Sequence, residues 1–320
     1  MKNRQTRNKI LMLAPLAFFL FLGANAQAAA YDFFVDKSSA QETEDGSEQY
    51  PWKTITGATN FIESGNLKNK TIFVKEGTYP ESVALSRNVK LVGESKSGTI
   101  IDADGYNNAI NFSSTKSQIK NMTIKNSEAT AVIIDKRSKA TIDNCNIEKA
   151  GKYGIEVKES TAAEKYKFTI KNSSVSDNGS QGLYISRRKI SITDNEIFSN
   201  KGEGVDLHQG VKGKVSGNHI HGNTESGIES ILSGANFIIS GNNVENNHAQ
   251  GITVQVYSVN SKGKIKIKRN TFKGNSDYGI RYANYTHKIG PKKFKVFVDK
   301  YVKKSKNTIR DNGEGDLYYQ

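Results

Sequence analysis

The chain has little that would cross-link it internally or hold it in a membrane. Its 320 residues include one cysteine, Cys145, which cannot form an internal disulfide. Beyond residue 30 no stretch is apolar enough to span a bilayer. No helical pattern separates the strand-like segments, which argues against leucine-rich or ankyrin-type repeats. The sequence therefore excludes a fold held by internal disulfides and a solenoid with helical units.

The first 30 residues have the organisation of a secretory signal peptide. A basic start is followed by the apolar run Ile10–Leu22, which is short for a membrane span, and by the small residues of Ala24–Ala30. The basic start consists of Lys2, Arg4, Arg7 and Lys9. We expect a secreted or extracytoplasmic protein, with association with the cell envelope as a variant of this location. A retained N-terminal anchor is the alternative.

Positive charge dominates the rest of the chain. Residues 1–30 hold four of the 46 basic residues and none of the 32 acidic ones, so residues 31–320 carry a net charge of +10. A basic exported protein suits acidic partners such as polyuronates, teichoic acids or phospholipid surfaces. We therefore expect an acidic polysaccharide or another polyanion as the partner, no specific nucleic acid, and a monomer.

A repeat organises the sequence. Asn195–His208 reads N-E-I-F-S-N-K-G-E-G-V-D-L-H, and its first half recurs four times, the last as N-T-I-R-D-N at Asn307–Asn312. The second half begins with a small residue, and these positions are 22, 23, 28, 22, 23, 24 and 28 residues apart. They are Ala109, Ala131, Gly154, Gly182, Gly204, Gly227, Gly251 and Gly279. A period of this length indicates a solenoid, in which each unit buries its apolar face against the next.

The local pattern decides the kind of solenoid. After each small residue the chain alternates apolar and polar positions, as in G-V-D-L-H from Gly204 and G-I-T-V-Q-V from Gly251. Period two with β-branched residues is typical of strands. The repeats resemble the right-handed parallel β-helix coils of the pectate-lyase-like superfamily over roughly residues 70–320. We predict an all-β, single-stranded, right-handed parallel β-helix with a short N-terminal capping helix.

The domain after the signal peptide has four predicted parts. Residues 31–108 form an N-terminal cap and the first coils, with an amphipathic helix carrying Ile55, Ala58, Phe61 and Ile62. Residues 109–285 are regular coils, and residues 307–320 are the last coil. Between them, residues 286–306 form an insertion with eight lysines, whose alternating residues predict a strand or hairpin. It would clamp a polyanion, attach to an anionic envelope, or simply cover the C-terminal edge.

Alternation also predicts which polar residues point inward. The first Asn of each repeat has the parity of the apolar residue two positions later, so these residues should form a hydrogen-bonded amide ladder. They are Asn195, Asn218, Asn242, Asn270 and Asn307. Cys145 has the parity of Ile147, which predicts a buried, unreactive thiol.

Outward positions form two columns that would suit a sugar chain lying along the solenoid, with successive coils about 4.8 Å apart. Long loops at Lys158–Tyr166, at Ser258–Lys264 and after Arg281 flank shorter coils, and would form the walls of a groove or be tolerated insertions. One column contains Glu156, Tyr184, Asp206, Glu229, Thr253 and Arg281, and the other contains Lys158, Ser186, His208 and Gln255.

The motif G-V-D-L-H at Gly204–His208 resembles the G-x-D-P-H signature of mannuronan (alginate) epimerases. This resemblance implies that Asp206 and His208 lie at an active centre where the C5 proton of a uronate is exchanged. Leu207 replaces the signature proline, and Glu203 replaces the tyrosine that precedes its glycine. Tyr184, one coil earlier, would supply the phenol instead. A cation must also neutralise the uronate, for which we expect Arg187, Arg188, Lys158 or Arg281.

Asp206 and Glu229 are stacked carboxylates, which repel each other. They would bind a shared cation, keep one proton, or diverge into solvent. Calcium suits an oxygen-only site and is common among the polysaccharide lyases that the fold resembles, so we predict calcium at Asp206 and Glu229. Two carboxylates would also suit a glycoside hydrolase.

These features predict an exported protein that acts on a uronate-containing polysaccharide as a lyase or epimerase. A non-catalytic carbohydrate-binding or cell-envelope surface is the first alternative, and a glycoside hydrolase is the second. The predicted catalytic residues are Asp206, His208, Tyr184, Arg187 and Arg281, and the predicted substrate-binding residues are Glu156, Lys158, Arg188, Glu229 and Gln255. Separately, the outward residues His219 and His221 have the spacing of transition-metal ligands, but the sequence shows no third ligand.

Overall fold

A computed structural model describes residues 31–113, 116–286 and 288–320. The predicted signal peptide, residues 1–30, lies outside these ranges and stays a prediction. Residues 31–320 form one compact unit. Among its described residues, no helix is long and apolar enough to cross a membrane.

Short strands and two short helices make up the described secondary structure. The first elements are β1 (Phe33–Val35), α1 (Ile55–Ser64), β2 (Thr71–Val74), β3 (Gly77–Tyr79), β4 (Val83–Leu85), β5 (Lys90–Gly93), β6 (Thr99–Asp102), β7 (Asn108–Phe112), β8 (Ser117–Lys125), β9 (Thr130–Ile134), β10 (Ala140–Glu148), β11 (Ile155–Val157), β12 (Phe168–Lys171), β13 (Ser174–Ser176), β14 (Leu183–Ile185) and β15 (Lys189–Thr193). The remaining elements are β16 (Glu196–Phe198), β17 (Val205–Leu207), β18 (Lys212–Ser216), β19 (His219–His221), β20 (Ile228–Ile231), β21 (Asn236–Ser240), β22 (Asn243–Glu245), β23 (Ile252–Val256), β24 (Lys264–Lys268), β25 (Thr271–Lys273), β26 (Tyr278–Asn284), α2 (Pro291–Tyr301), β27 (Val302–Ser305), β28 (Thr308–Arg310) and β29 (Gly315–Tyr319).

The strands stack in three parallel rows, as a parallel β-helix requires. The first row runs through β12, β15, β18, β21, β24 and β27, and the second through β13, β16, β19, β22, β25 and β28. Long strands β8 and β10 belong to both rows, because they cross the corner between them. The third row has the order β4, β7, β9, β11, β14, β17, β20, β23, β26 and β29. Each coil thus contributes one strand to each row.

Alternation places one side of every strand in a continuous apolar core. Val205 and Leu207 of β17 are fully buried, as are Ile197 of β16 and Ile220 of β19. The glycine that directly precedes each of the third-row strands β11, β14, β17, β20 and β23 has a steric reason. A Cβ on Gly204 would lie 2.8 Å from the carbonyl oxygen of Gly227, so only glycine allows the coils to approach this closely.

The predicted asparagine ladder is confirmed. Asn195 donates through Nδ2 to Oδ1 of Asn218 at 2.9 Å, and Asn218 donates in the same way to Asn242 at 2.9 Å. The ladder continues through Asn270 to Asn307. All these amides stack in the interior, where each both donates and accepts.

A second ladder was not predicted. It joins Asn178, Asn200, Asn223, Asn247, Asn275 and Asn312 by the same amide contacts at 2.8–2.9 Å. Each member follows a residue with positive φ, such as Ser199 at 54° and Gly222 at 60°. Because this left-handed residue turns the chain at the corner, parity counted along the strand does not carry across it.

The predicted capping helix is present as α1. Thr54 caps its N-terminus by accepting from the Gly57 amide at 3.0 Å, and the buried Glu81 accepts from the amides of Ile55 and Thr56. The helix buries Ile55, Ala58, Thr59 and Ile62. Phe61, the fourth apolar residue of the predicted helix, does not lie on this buried face: it is 41% exposed and packs against Phe33 and Trp52.

The strand or hairpin predicted within residues 286–306 is replaced by a helix over most of this range. Residues Pro291–Tyr301 form helix α2, with Phe294 and Val298 buried in the core. The apolar residues of this segment fit the period of a helix as well as that of a strand. In a strand, Val296 would share the buried side with Phe294 and Val298, but it is 72% exposed. The following residues, Val302–Ser305, already pair with β24, so the last coil begins before residue 307.

Cys145 is fully buried, as predicted. Burial raises the pKa of its thiol to about 12, because the thiolate would lose its hydration in the core. The thiol is therefore protonated and unreactive at neutral pH.

Candidate active site

The predicted outward column lies on the third row, with the register that alternation predicts. We call it the Asp206 column. Each member pairs with the next across adjacent parallel strands. In order they are Glu156, Tyr184, Asp206, Glu229, Thr253 and Arg281.

Asp206 lies at the centre of this column and is 4% exposed. Its Oδ2 is 3.1 Å from Nε2 of His208. This hydrogen bond is the main cause that raises the pKa of His208, because a neighbouring carboxylate stabilises the imidazolium; burial opposes it. The second oxygen, Oδ1, is buried and has no hydrogen-bond partner among the described residues. Such an oxygen is expected to attract a donor or a cation.

Tyr184 brings a phenol to this pair. Its ring centroid is 4.7 Å from that of His208, and the ring stacks on Tyr153 at 5.0 Å and 12°. Burial first, and then the nearby charge of Asp206, raise the pKa of the phenol, while a hydrogen bond with Ser186 lowers it. Tyr184 is therefore a protonated group in contact with His208 at neutral pH.

Glu229 follows Asp206 in the column. The predicted repulsion between the two carboxylates contributes to a raised pKa of Glu229. Burial, and then the charges of Asp206 and Glu225, raise the pKa of Glu229 to about 7. The positive charges of His208 and Arg281 act in the opposite direction. Glu229 can therefore give or take a proton near neutral pH.

Glu203 belongs to the same acidic cluster, and sequence reasoning did not select it. It is 5% exposed and accepts a hydrogen bond from Nε2 of Gln181 at 2.9 Å. Burial, then a hydrogen bond with the Glu225 side chain, raise its pKa well above the usual range for a carboxyl. Glu203 stands in place of the signature tyrosine. Its position before Gly204 was the available signal.

Arg281 is the cation at the C-terminal end of the column. Its guanidinium donates to Oε1 of Gln320 at 2.9 Å, and the side chain is half-buried. Thr253, between Arg281 and Glu229, is 2% exposed and turns its hydroxyl to Gln250. No residue larger than threonine therefore separates the guanidinium from Glu229 along the column.

Gln255 and two tyrosines lie beside these groups. Gln255, predicted to bind substrate, is buried and accepts a hydrogen bond from the Tyr257 hydroxyl at 3.0 Å. Tyr257 is 53% exposed and stacks on Tyr285 at 4.9 Å and 17°. The buried amide thus orients an exposed aromatic ring with a polar tip, which can contact a ligand on both its apolar and polar parts.

One predicted groove wall lines a cavity of about 510 Å³. Residues 161–165 of the loop after β11 form one side, and Arg187 and Gln209 lie on another. Arg187 is exposed and pairs with Glu159 at 3.2 Å. Asp206, His208 and Glu229 do not line this cavity, although Gln209 follows His208 directly in the chain. Arg187 therefore belongs to the cavity beside the column.

The prediction that Arg188 binds substrate was wrong. Its side chain is fully buried, and the guanidinium donates to six backbone carbonyls, including those of Asp135 at 2.8 Å and Lys158 at 2.9 Å. Burial lowers its pKa to about 10. Arg187, with φ of 30°, reverses the chain, so that the two arginines point to different environments. Arg188 stabilises the turns of three coils, including the start of the loop that lines the cavity.

Glu156 and Lys158 lie at the N-terminal side of the column. Glu156 is half-buried next to Tyr184, while Lys158 is exposed and pairs with Asp135 at 2.9 Å. An exposed ion pair of this kind contributes little and exchanges readily. Both side chains can therefore contact a ligand.

This site offers some of the oxygen ligands that a calcium ion requires. Asp206 Oδ1 has no partner among the described residues, and Glu229 lies on the next strand. Two carboxylates fall short of the six to eight oxygens that calcium takes. In the described part of the chain, three converging metal-ligand side chains occur at Glu196, His219 and His221 rather than here. The described residues at Asp206 and Glu229 therefore supply only part of the ligand set that calcium requires.

Comparison with known proteins places the chain in a family. A model described as "Right handed beta helix region" matches residues 108–261 and 163–296, which together cover more than half of the chain. The chain belongs to the right-handed β-helix family. The predicted fold and its handedness are thus confirmed for this β-helix protein. No functionally curated protein matches its sequence.

Solved structures share the fold at low sequence identity. The A-module of a mannuronan C-5 epimerase from Azotobacter vinelandii is 14% identical with a TM-score of 0.52, over 90% of this chain and 97% of that one. An alginate lyase from a Paenibacillus species is 13% identical with a TM-score of 0.61, over 83% and 95%. A pectate lyase is 11% identical with a TM-score of 0.51, over 79% and 69%. These similarities show the fold alone.

Proposed function

We propose that this β-helix protein is an exported enzyme that acts on a uronate-containing polysaccharide by removing the C5 proton, as a lyase or an epimerase. The observation that carries the proposal is the contact of Asp206, His208 and Tyr184, next to Glu229 with a pKa raised to about 7. An acid, a base and a group that titrates near neutrality therefore lie on one face. The structural similarity to an epimerase and to two lyases that act on alginate and pectate supports it.

His208 is the proposed base. The C5 proton lies next to a carboxylate, and its removal requires a base whose pKa is close to neutral pH. Asp206 holds the imidazole at 3.1 Å and stabilises the imidazolium that forms. Because this contact raises the pKa of His208, the base form is lost as the pH falls through that raised value.

Tyr184 is the proposed acid. In a lyase, the electron pair of the broken C5–H bond forms the C4–C5 double bond, and the C4–O bond breaks. The leaving oxygen then takes a proton from Tyr184. In an epimerase, the C4–O bond stays intact and Tyr184 instead gives its proton to the opposite face of C5. The raised pKa of Tyr184 keeps the phenol protonated and ready to donate.

Glu229 and Arg281 are proposed to bind the uronate carboxylate. A neutral carboxylic acid can donate a hydrogen bond to an anion, as an ionised one cannot. Arg281 supplies positive charge from two strands away. Because the pKa of Glu229 is about 7, the side chain ionises above neutral pH and would then repel the substrate. We expect activity to fall on the alkaline side for this reason.

Two other functions have specific support. The stacked pair of the exposed Tyr257 and the half-buried Tyr285 would suit a surface that binds a polysaccharide without reaction. The neighbouring Asp206 and Glu229 would suit a glycoside hydrolase, since a protonated and an ionised carboxyl are its required pair. Against hydrolysis, Asp206 Oδ2 is engaged by His208. Hydrolysis yields reducing ends without an unsaturated sugar, which distinguishes it from elimination.

The test is an assay of the purified protein on alginate, polygalacturonate and glycosaminoglycans. Elimination is followed by the ultraviolet absorbance of the unsaturated uronate, and epimerisation by exchange of the C5 proton with deuterated solvent. His208→Ala should remove activity, whereas His248→Ala, at an exposed histidine elsewhere, should retain it. Polymer binding without elimination, exchange or hydrolysis would overturn the enzymatic proposal in favour of a binding surface.

As an alternative to a neutral Glu229, we propose calcium bound at Asp206 and Glu229 with Glu229 ionised, and the same assay tests it. Its support is the buried, unpaired Oδ1 of Asp206 beside a second carboxyl. Activity that is lost with a chelator and restored by calcium would support it. Equal activity with calcium and with chelator would overturn it.

A further inference from the structure

A second cluster of ligand-type side chains lies on the second row of strands, away from the Asp206 column of the third row. Glu196 of β16 pairs in register with His219 of β19. His221, at the other end of β19, pairs with Glu245 of β22. One ligand atom each from Glu196, His219 and His221 lies within 4.8 Å of the other two. The third ligand that the sequence did not show is therefore Glu196.

Strand geometry explains why these groups converge. His219 and His221 flank the fully buried Ile220, so both imidazoles must point outward from the same strand. The parallel register then brings one carboxylate from the preceding coil and one from the following coil to this pair. Two histidines and two carboxylates are thus held by backbone pairing rather than by a flexible loop.

The rings are already ordered. The centroids of His219 and His221 are 4.1 Å apart, and His221 stacks on Phe198 at 5.1 Å and 2°. Nε2 of His219 is 2.8 Å from Oε1 of Glu245, and Nε2 of His221 is 3.4 Å from Oε1 of Glu196. Each Nε2 atom therefore faces a different carboxylate: Glu245 orients the ring of His219, and Glu196 lies beside the ring nitrogen of His221 with which it would share an ion.

We propose that Glu196, His219 and His221 bind a divalent first-row transition-metal ion such as Zn²⁺, with Glu245 supporting His219. Imidazole nitrogen with one carboxylate oxygen is a ligand set for Zn²⁺, Ni²⁺ or Cu²⁺ rather than for Ca²⁺ or Mg²⁺. The two glutamates supply negative charge that a dication would neutralise. All four side chains are accessible, since between 24% and 55% of each is exposed. The site would exchange its ion with solvent.

Isothermal titration with ZnCl₂ tests this site, on protein purified without a polyhistidine tag. We expect one ion per chain at neutral pH. Loss of a residue that merely supports a ligand commonly weakens metal affinity about 10- to 100-fold, so His219→Ala and His221→Ala should each weaken it by about 100-fold or more. His248→Ala is the matched control, because it removes an exposed histidine outside the cluster. Because a metal ion and a proton compete for imidazole nitrogen, affinity should also fall as the pH is lowered.

Several results would overturn the site. One is the absence of Zn²⁺ binding to the wild-type protein. Another is unchanged affinity in the double variant His219→Ala/His221→Ala, in which His208 and Asp206 remain. Calcium that binds with equal affinity and with the same loss in the histidine variants would also contradict it. Glu196→Gln keeps both imidazole rings and should weaken Zn²⁺ binding without disturbing the core. It therefore tests the site even if the histidine variants misfold. The result does not depend on activity toward polysaccharides.

Discussion

The interior asparagine ladders and the outward Asp206 column are built alike and behave differently. Both place one polar side chain per coil at the same register. In the ladder, Asn242 donates through Nδ2 to Asn270 and to the carbonyl of Val215 while its Oδ1 accepts from Asn218. In the column, one oxygen of Asp206 has no partner among the described residues and the pKa of Glu229 is raised to about 7.

The difference lies in what the side chains can do. An amide both donates and accepts, so identical amides stack with every group satisfied. An ionised carboxylate only accepts, so stacked carboxylates repel and one retains a proton. The ladder therefore stabilises the coils. The column instead contains polar groups without hydrogen-bond partners, which can bind a ligand or exchange a proton with a substrate.

The adjacent residues Arg187 and Arg188 allow a direct comparison of an exposed arginine with a buried one. Arg188→Met should lower the free energy of unfolding by about 3–5 kcal/mol, because the carbonyls that surround the guanidinium would lose their donors in the interior. Urea unfolding followed by circular dichroism measures this loss. Arg187→Met removes only an exposed ion pair with Glu159, and should change stability by less than about 0.5 kcal/mol. An equal loss of stability in the two variants would show that the hydrogen bonds from Arg188 to the surrounding carbonyls do not stabilise the fold.

Asn242 and Asn243 give a similar pair for the ladder. Asn242→Ala should lower the free energy of unfolding by about 3 kcal/mol, since it leaves buried partners at Asn218 and Asn270 unsatisfied. Asn243→Ala, at the half-buried outward position beside it, should cost less than about 0.5 kcal/mol. Thermal or urea unfolding compares them. If both variants lose the same stability, the ladder is not the stabilising element we infer.

Tyr184 tests whether the column performs chemistry. Under the proposed mechanism, Tyr184→Phe should lower the rate about 100-fold, equivalent to about 2.7 kcal/mol, because the ring stays while the proton donor is lost. Its stability should hardly change. Tyr153→Phe is the control, since this ring stacks on Tyr184 at 5.0 Å. Turnover on the substrate identified by the assay measures the change. A wild-type rate for Tyr184→Phe would remove this residue from the mechanism.

Glu229 should make stability depend on pH. Its pKa is about 7 in the folded protein, whereas an unfolded chain releases the proton at about 4.3. The folded state thus binds more protons between these values, and the free energy of unfolding falls as the pH rises through this range. After allowance for partial exposure, the fall is about 2 kcal/mol.

Glu229→Gln should reduce this dependence, and should therefore be more stable than the wild type at about pH 8 but not at about pH 5. Urea unfolding at both pH values measures the difference. Asn242→Ala is the comparison variant, because an amide does not titrate and its loss of stability relative to the wild type should be the same at both. A wild-type slope retained in Glu229→Gln would place the titration on other groups, such as His208.

Much of the fold followed from alternation along single strands. It predicted the inward Asn195 and Asn218, the outward Asp206 and Glu229, and the register that stacks the last two. Errors occurred where the chain turns or where two periods coincide. Strand parity failed at α2, because apolar residues such as Phe294 and Val298 fit both helix and strand.

The candidate site was predictable only in part. Its outward positions follow from parity, so Asp206, His208 and Tyr184 could be selected together. The protonation of Glu229 and Glu203 could not, because it depends on burial and on carboxylates from neighbouring coils. Nor could the place of Glu196 beside His221, since 25 residues separate them along the chain.

By itself, the sequence determined the repeat, the strands, the inward and outward faces and the charge of this protein, because these depend on residue type and local period. The tertiary structure decided which residues of different coils share hydrogen bonds, which arginine is buried, and which carboxyls keep their protons. These properties depend on distance and solvent access between segments more than 20 residues apart, where stacking of the coils, rather than local preference, sets the contacts.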